Sequence, residues 1–431
     1  MDFLWLPSLA RIPPYHDRDL DVAPQLEEMS EEAMAIQLPL LSPSERRRTR
    51  IVATLGPASR DPSVIQEMVQ AGVNVFRLNL SHGEHADHQA AIEAIKQARA
   101  NHPEPVAILA DLCGPKIRVG VFEEGQITLQ RDEIVSVTTE DVLGKQGLIP
   151  CSYQGLIQDV KENNRLLFDD GLIELRAQEV REHDILCRVI DGGILKNRKG
   201  INLPGVNVSA PTLTEKDRAD ARFALSHGVD FLALSFVRSA VDIIRLKVFM
   251  EDCERSVPII AKIEKPEALH AIDEILDVSE GIMVARGDLG VETAAEQVPF
   301  IQDELVIRAR RHCRPVIVAT QMLESMVRNS APTRAEVADV SHAVHSGADA
   351  IMLSAETSVG SYPLRAVSMM DRIARQVEGW QMTRGGIPDL PQDSRDEPHS
   401  FPLRHAVARS TSQLSRDLKA RVVVVRSRSG P

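Results

Sequence analysis

The chain has 431 residues, 43% hydrophobic and only 3% aromatic, with a formal net charge of −12. That length predicts about two to four domains with aliphatic cores, and the acidic balance excludes a broad basic surface and with it nucleic acid as a partner. No run of about 18 apolar residues predicts a membrane span, Phe3-Leu4-Trp5-Leu6 is too short for a signal peptide and lacks a preceding positive charge, and five scattered cysteines without CxxC spacing predict reduced thiols in a cytoplasmic protein.

Residues 1–48 are acidic, proline-bearing and weakly periodic, with 27–38 as a short helix. They read as a disordered N-terminal extension, and Arg46-Arg47-Arg48 reads as a solvated face. From Arg50 a regular rhythm begins. Buried-strand runs at 51–55, 73–79 and 106–111 alternate with helices over 62–71, capped by Asp61 with Pro62 at the first helical position, and over 85–101. Residues 120–205 break that rhythm with short β segments at 127–129, 134–137, 166–168, 173–175 and 185–189; Asp169-Asp170-Gly171 and Asp191-Gly192-Gly193 are hairpin signals. This segment reads as a small β-barrel domain inserted after strand three. The first rhythm resumes at Thr212 with a capping-box-like start at 213–217, then strands at 231–236, 259–263, 281–285, 315–319 and 350–353, with helices at 240–253 and 304–311.

Eight apolar strands alternating with helices predict a (β/α)₈ TIM barrel over 49–119 and 206–375, in preference to an open doubly wound sheet, because the spacing is even and every polar cluster falls at a strand's carboxyl end. Residues 376–402 read as a linker. Within 403–431, a helix over 403–418 and an apolar strand over 421–425 read as the start of a C-terminal α/β domain, truncated because a lone strand cannot bury both faces.

Two strand ends carry the chemistry. Alternation puts Lys262 and Glu264 on one side of their strand, and the run 281–285 opens into Arg286-Gly287-Asp288. Glu264 and Asp288 could share one divalent cation, and a lysine beside a two-carboxylate site suits a phosphate or an enolate, both of which carry negative charge. The competing reading of each motif alone is an ion pair after a buried strand.

The ordered pieces Thr54-Leu-Gly-Pro-Ala-Ser, Arg77-Leu-Asn-Leu-Ser-His-Gly, Gly114-Pro-Lys-Ile-Arg, Asn197-Arg-Lys-Gly-Ile-Asn-Leu-Pro-Gly, Lys262-Ile-Glu, Ala285-Arg-Gly-Asp-Leu-Gly, Ala319-Thr-Gln-Met-Leu-Glu-Ser-Met, Pro332-Thr-Arg-Ala-Glu-Val and Ser354-Ala-Glu-Thr closely resemble the pyruvate kinase family over residues 50–375. The resemblance implies transfer of the phosphoryl group of phosphoenolpyruvate to ADP, giving pyruvate and ATP in glycolysis. It also implies a β lid domain and a C-terminal regulatory domain, here incomplete, and a homo-oligomer weakened by that incompleteness.

The resemblance further implies that Glu264 and Asp288 hold Mg²⁺ or Mn²⁺, and that Lys262 and Arg77 sit on the transferring phosphoryl group. Thr320 would relay a proton through water, against the alternative of a helix N-cap. Ala285, Arg286 and Gly287 would join these residues around the substrate, with backbone N–H groups toward its carboxylate. Pro57, Asn79, His82 and Lys199 match nucleotide-side positions. Asn79, Ser81 and Asp111 match a monovalent-cation site, where Leu112 and Lys116 replace a threonine and a glutamate of potassium-dependent members. From that replacement K⁺ is expected not to be required. The alternatives to an active kinase are a non-catalytic or regulatory truncated homologue and a Mg²⁺-dependent aldolase, the latter without need of a lid or of Lys199.

Overall fold

The computed structural model describes residue 44, residues 46–100 and 102–384, and four helical positions, Val407, Ser410, Thr411 and Leu414. The expected helix at 27–38, the linker from 385 onward and the strand at 421–425 lie outside the described residues.

Eight strands form the closed parallel barrel: β1 (Arg50–Thr54), β2 (Val75–Asn79), β3 (Ala107–Leu112) and, after the lid, five more. The lid contributes β4 (Gln126–Leu129), β5 (Ile134–Thr138), β6 (Leu148–Pro150), β7 (Arg165–Phe168), β8 (Ile173–Val180), β9 (Asp184–Asp191), β10 (Gly193–Lys196) and β11 (Ile201–Asn202). The barrel resumes with β12 (Phe231–Leu234), β13 (Ile259–Ile263), β14 (Gly281–Ala285), β15 (Val316–Ala319) and β16 (Ala350–Leu353). Each barrel strand pairs with its neighbours in chain order, and β16 closes the ring against β1 with Arg50 opposite Ala350.

Strands buried on both faces need apolar residues at nearly every position, hence the continuous aliphatic runs. One set of alternate residues, Val52, Leu109, Ala233, Ile260, Met283 and Ile317 among them, fills the barrel interior. The other set packs outward against the helices in one continuous core. Two residues further along the same inward rows come Thr54, Arg77, Asp111, Ser235 and Lys262. The barrel therefore changes from an apolar layer to a polar layer within one strand repeat, at the end where barrels place their chemistry.

Local signals act as read. Asp61 caps the helix Pro62–Gln70 by accepting the Ser63 N–H at 2.8 Å, and Thr214 and Asp217 form a reciprocal capping box on Glu215–Ser226. The helix expected at 304–311 begins six residues earlier, at Val298, and runs to Arg311. The barrel's last helix, Pro363–Thr383, runs through the boundary expected at 375, so residues 376–383 are helix and not linker. Its buried Glu378 accepts the backbone N–H groups of Arg48 and Thr49, each at 2.8 Å. Of the triple arginine, Arg46 and Arg48 are exposed as expected, and Arg47 is the exception. Its side chain is largely covered, donating to Asp371, to Asn74 and to the carbonyls of Thr49 and Gly72, so its long fork ties the chain just before β1 to the base of the barrel.

The lid is built from two sheets, six strands in the order β11-β7-β8-β9-β5-β6 and the pair β10-β4, around a separate aliphatic core. Its hydrogen-bonded ladders do not close into the expected small barrel. Asp169-Asp170-Gly171 is the turn between β7 and β8, with all three residues in the left-handed region. Asp191-Gly192-Gly193 is not a hairpin. It carries the chain from one lid sheet to the other, and a Cβ at Gly192 would run into the Leu129 carbonyl, which is why glycine stands there. Burial pushes the lid thiols of Cys151 and Cys187 up, to about 11 and about 12, and all five cysteines are unpaired thiols.

Candidate active site

The polar layer at the barrel mouth centres on Asp111 and Lys262. Lys262 Nζ lies 2.9 Å from Glu264 Oε1 and 3.3 Å from Asp111 Oδ1, and donates to Ser235 Oγ at 2.6 Å. Arg77 Nε donates to the other Asp111 oxygen at 2.7 Å, and its Nη1 donates to Thr54 Oγ1 at 3.0 Å. Thr54 in turn donates to the Leu353 carbonyl on the neighbouring closing strand. Glu264 Oε2 accepts the Phe236 N–H at 2.7 Å, from a residue held at φ +55° beyond the end of β12. Side chains from β1, β2, β3, β12 and β13, and a carbonyl of β16, thus contribute to one buried network.

Its electrostatics are set by burial and by mutual charge. Burial alone would push the Asp111 carboxyl up, but Lys262 and Arg77 outweigh it and hold Asp111 below the usual carboxylate range. Burial would lower Lys262, yet Asp111 and then Glu264 raise its ammonium above the ordinary lysine value. Glu264 is pushed up, chiefly by burial and further by the charge of Asp288, with Lys262 opposing both. Glu264 and Asp288 are therefore close enough to repel, a situation a divalent cation relieves.

The two carboxylates fit a hard cation. Both offer oxygen donors, Glu264 is rigidly held, and Asp288 lines the cleft under the lid. Among the described residues no cluster of three or more His, Cys, Asp or Glu could hold a metal, so this pair would leave most of the coordination sphere to water or substrate, as Mg²⁺ requires.

A second group forms around β15. Thr320 and Gln321 follow that strand at φ +71° and +53°, two consecutive non-glycine residues in the left-handed region. Thr320 Oγ1 accepts the Gly287 N–H at 2.7 Å and donates to the Ala319 carbonyl at 2.6 Å. It is not the N-cap of the helical turn that follows it, which starts at Glu324; its hydroxyl instead satisfies an N-terminal N–H of the helix Arg286–Glu292, remote in sequence. The Arg286 guanidinium, expected on the substrate, is spent on the protein. It donates to Asp339 at 2.6 Å, to the Thr320 carbonyl at 2.7 Å and to the Ala319 carbonyl at 3.3 Å, bracing the strained turn. Buried Glu356 adds a second brace by accepting the N–H groups of Leu323 and Ser354.

The remaining expected residues are more dispersed. Asn79, Ser81 and His82 share the tight turn after β2, where Asn79 Oδ1 accepts the Ser81 N–H at 3.2 Å. The His82 imidazole is lowered by burial and then by the surrounding cations Arg118, Lys116, Arg77 and Lys216, a setting that favours an anion. Pro57 is exposed in the turn after β1. Lys199 is ion-paired within the lid to Asp169 at 2.7 Å. Lys116 is exposed at the cleft, and Asp111 is engaged by Arg77 and Lys262 instead. Leu112 is fully buried in the outward core, so its missing side-chain oxygen does not bear on any cation beside Asp111; only its backbone could. Thr54, Ser235 and Phe236 escaped the reading of the sequence, although Ser235 stands at a strand end like the residues that were found.

The sequence pattern of the family described as "Pyruvate kinase, barrel domain" matches residues 46–367. The chain is 46% identical over 384 residues to "Pyruvate kinase" of Corynebacterium efficiens, covering 89% of this chain and 79% of the relative. It is 47% identical over 349 residues to "Pyruvate kinase" of Mycobacterium intracellulare, covering 81% and 74% respectively. To "Pyruvate kinase" of Staphylococcus saprophyticus it is 42% identical over 387 residues, covering 89% and 65%. With its eight-stranded barrel, its inserted lid and relatives this similar, the chain belongs to the pyruvate kinase family of phosphotransferases.

Proposed function

We propose that the chain transfers the phosphoryl group of phosphoenolpyruvate to ADP to give pyruvate and ATP, as a glycolytic enzyme of the cytoplasm. The observation that carries this is the placement of Lys262 and Arg77, two buried cations flanking Asp111 at the barrel mouth, beside the paired carboxylates Glu264 and Asp288. Phosphoryl transfer asks for little covalent help from a protein. It asks for fixed positive charge where the equatorial oxygens accumulate negative charge. Lys262 and Arg77 supply that charge at no reorganisation cost, because Asp111, Glu264, Ser235 and Thr54 already hold them in place.

Glu264 and Asp288 would hold Mg²⁺ or Mn²⁺, which would supply positive charge against the phosphate oxygens of the substrates. Thr320 passes a proton through water toward the enolate carbon, and Arg286 keeps the Thr320 turn in its left-handed form. Ala285 and Gly287 line the substrate side of that turn. Pro57, Asn79 and His82 face the nucleotide, with Lys199 reaching its phosphates once released from Asp169. K⁺ is not required, since both Asp111 oxygens are already engaged by cationic side chains. Residues 120–205 act as the lid.

The test is a lactate-dehydrogenase-coupled assay on the purified chain with phosphoenolpyruvate, ADP and Mg²⁺. Pyruvate formation that needs both substrates and is abolished by EDTA is expected; its absence under all conditions would favour a non-catalytic homologue.

A further inference from the structure

The lid rests on the barrel at a buried carboxylate that none of the roles above uses. Glu292 Oε1 accepts two hydrogen bonds, from Lys265 Nζ at 2.6 Å and from Asn202 Nδ2 at 3.1 Å. The Glu292 side chain is only 2% exposed and that of Lys265 13%. The three partners come from three places. Asn202 lies on the lid strand β11, three residues after Lys199. Lys265 directly follows Glu264. Glu292 ends the short helix Arg286–Glu292, one turn beyond Asp288 and on the same face. The lid turn at 169–171 lies against the same helix, since a Cβ at Gly171 would stand 3.6 Å from Val291 Cγ1. Asp170, Asn202, Lys265 and Asp288 all line the one cleft between lid and barrel.

A buried carboxylate must keep a cationic partner. Lys265 belongs to the barrel and stays whatever the lid does, so Glu292 remains neutralised when the lid swings away. Asn202 is the partner that leaves. Its bond can therefore break without stranding a buried charge, which suits a contact that opens and closes in each cycle. We propose that Glu292 is a positioning residue: it latches the lid through Asn202 and transmits docking to Asp288 along the shared helix, so that the latch sets the affinity for the nucleotide beneath the lid. This rests on the reading of the chain as a phosphoenolpyruvate:ADP phosphotransferase with its nucleotide under the lid.

The test compares full-length wild type with Asn202→Ala and Asn202→Asp, the latter setting a second carboxylate against Glu292. Asn202→Ala should raise KM for ADP about fivefold or more, with less than a twofold change in kcat and in KM for phosphoenolpyruvate; Asn202→Asp should raise it further. Hydrogen exchange should quicken in peptides covering 197–203 and 286–292 and stay unchanged at 134–138. Wild-type KM for ADP and wild-type exchange in both variants would overturn the latch. Faster exchange confined to 197–203 would overturn transmission to the Asp288 helix, and equal rises in both KM values would overturn the nucleotide assignment. If the wild type itself transfers no phosphoryl group, the functional reading fails, while the exchange comparison still decides whether Asn202 holds the lid to Glu292.

Discussion

Lys262 and Asp111 face each other across 3.3 Å from strands that are not neighbours, leaning over β12, whose Ser235 accepts the lysine's third contact. With Arg77, Glu264 and Asp288 the mouth holds three carboxylates against two cations. That balance leaves room for a divalent ion and then for the anionic substrate it carries.

Replacing Lys262 tests both halves of that balance. Lys262→Met should lower kcat by several orders of magnitude in the coupled assay, because positioned charge is the main device in phosphoryl transfer. It should also destabilise the protein by about 3–5 kcal/mol in a denaturant melt, since Asp111 and Glu264 lose a buried counter-charge. Wild-type-like turnover would remove Lys262 from the mechanism.

Thr320 separates hydroxyl chemistry from turn geometry. Thr320→Val leaves the Gly287 N–H without its acceptor, which should cost about 1–3 kcal/mol of stability and depress kcat strongly. Thr320→Ser keeps the hydroxyl and should retain most of both. Serine failing as badly as valine, by kinetics and by melting temperature, would contradict a role for the hydroxyl.

Potassium dependence can be read in tetramethylammonium buffer at constant ionic strength. Added KCl should change turnover by less than about tenfold, which is roughly 1.4 kcal/mol in the barrier; a larger rise would overturn the K⁺-independent reading. Lys116→Glu is the informative substitution. Leu112→Thr is not, because it would place a hydroxyl in the outward core and cost about 1–3 kcal/mol without reaching Asp111.

His82 gives a pH-dependent signal. Its folded value lies below the ordinary 6.5, so the unfolded chain binds the proton more readily. The contribution of neutral His82 to stability is complete above pH 6.5 and falls as pH drops below it. NMR titration should place the ring's midpoint under 6.5 and move it upward when ADP brings negative phosphate oxygens among Arg118, Lys116 and Lys216. A midpoint at or above 6.5 in the free protein would contradict the cationic surround.

The barrel was legible because each strand is an apolar run, and on β1, β2, β3, β12 and β13 the inward row turns polar at the strand's carboxyl end; Arg77, Asp111 and Lys262 all obey that rule. Alternation alone would also have placed Leu112 on the helix side, as it does. What could not be read depends on long-range meetings. Nothing near Arg47 in the chain announces Asp371, and nothing near Glu292 announces Asn202. The Asp191-Gly192-Gly193 signal was chemically sound, but a turn residue cannot say which strand follows it into which sheet. Arg286 and Gly287 sit where expected, yet their hydrogen bonds go to the Thr320 turn, whose left-handed backbone carries no composition signal, since neither Thr320 nor Gln321 is glycine.

The pairing of β1 with β16 has a consequence for synthesis on the ribosome. Strand β1 emerges early but finds its second partner only when residues 350–353 have been made, so the ring stays open through most of translation. The lid is contiguous, has its own core and lies well before β16, so it can fold while the barrel waits. Nascent chains arrested just before residue 350 should show a protease-resistant lid and a protease-sensitive β1. Until its last strand arrives, the unfinished barrel presents an unpaired aliphatic edge at β1.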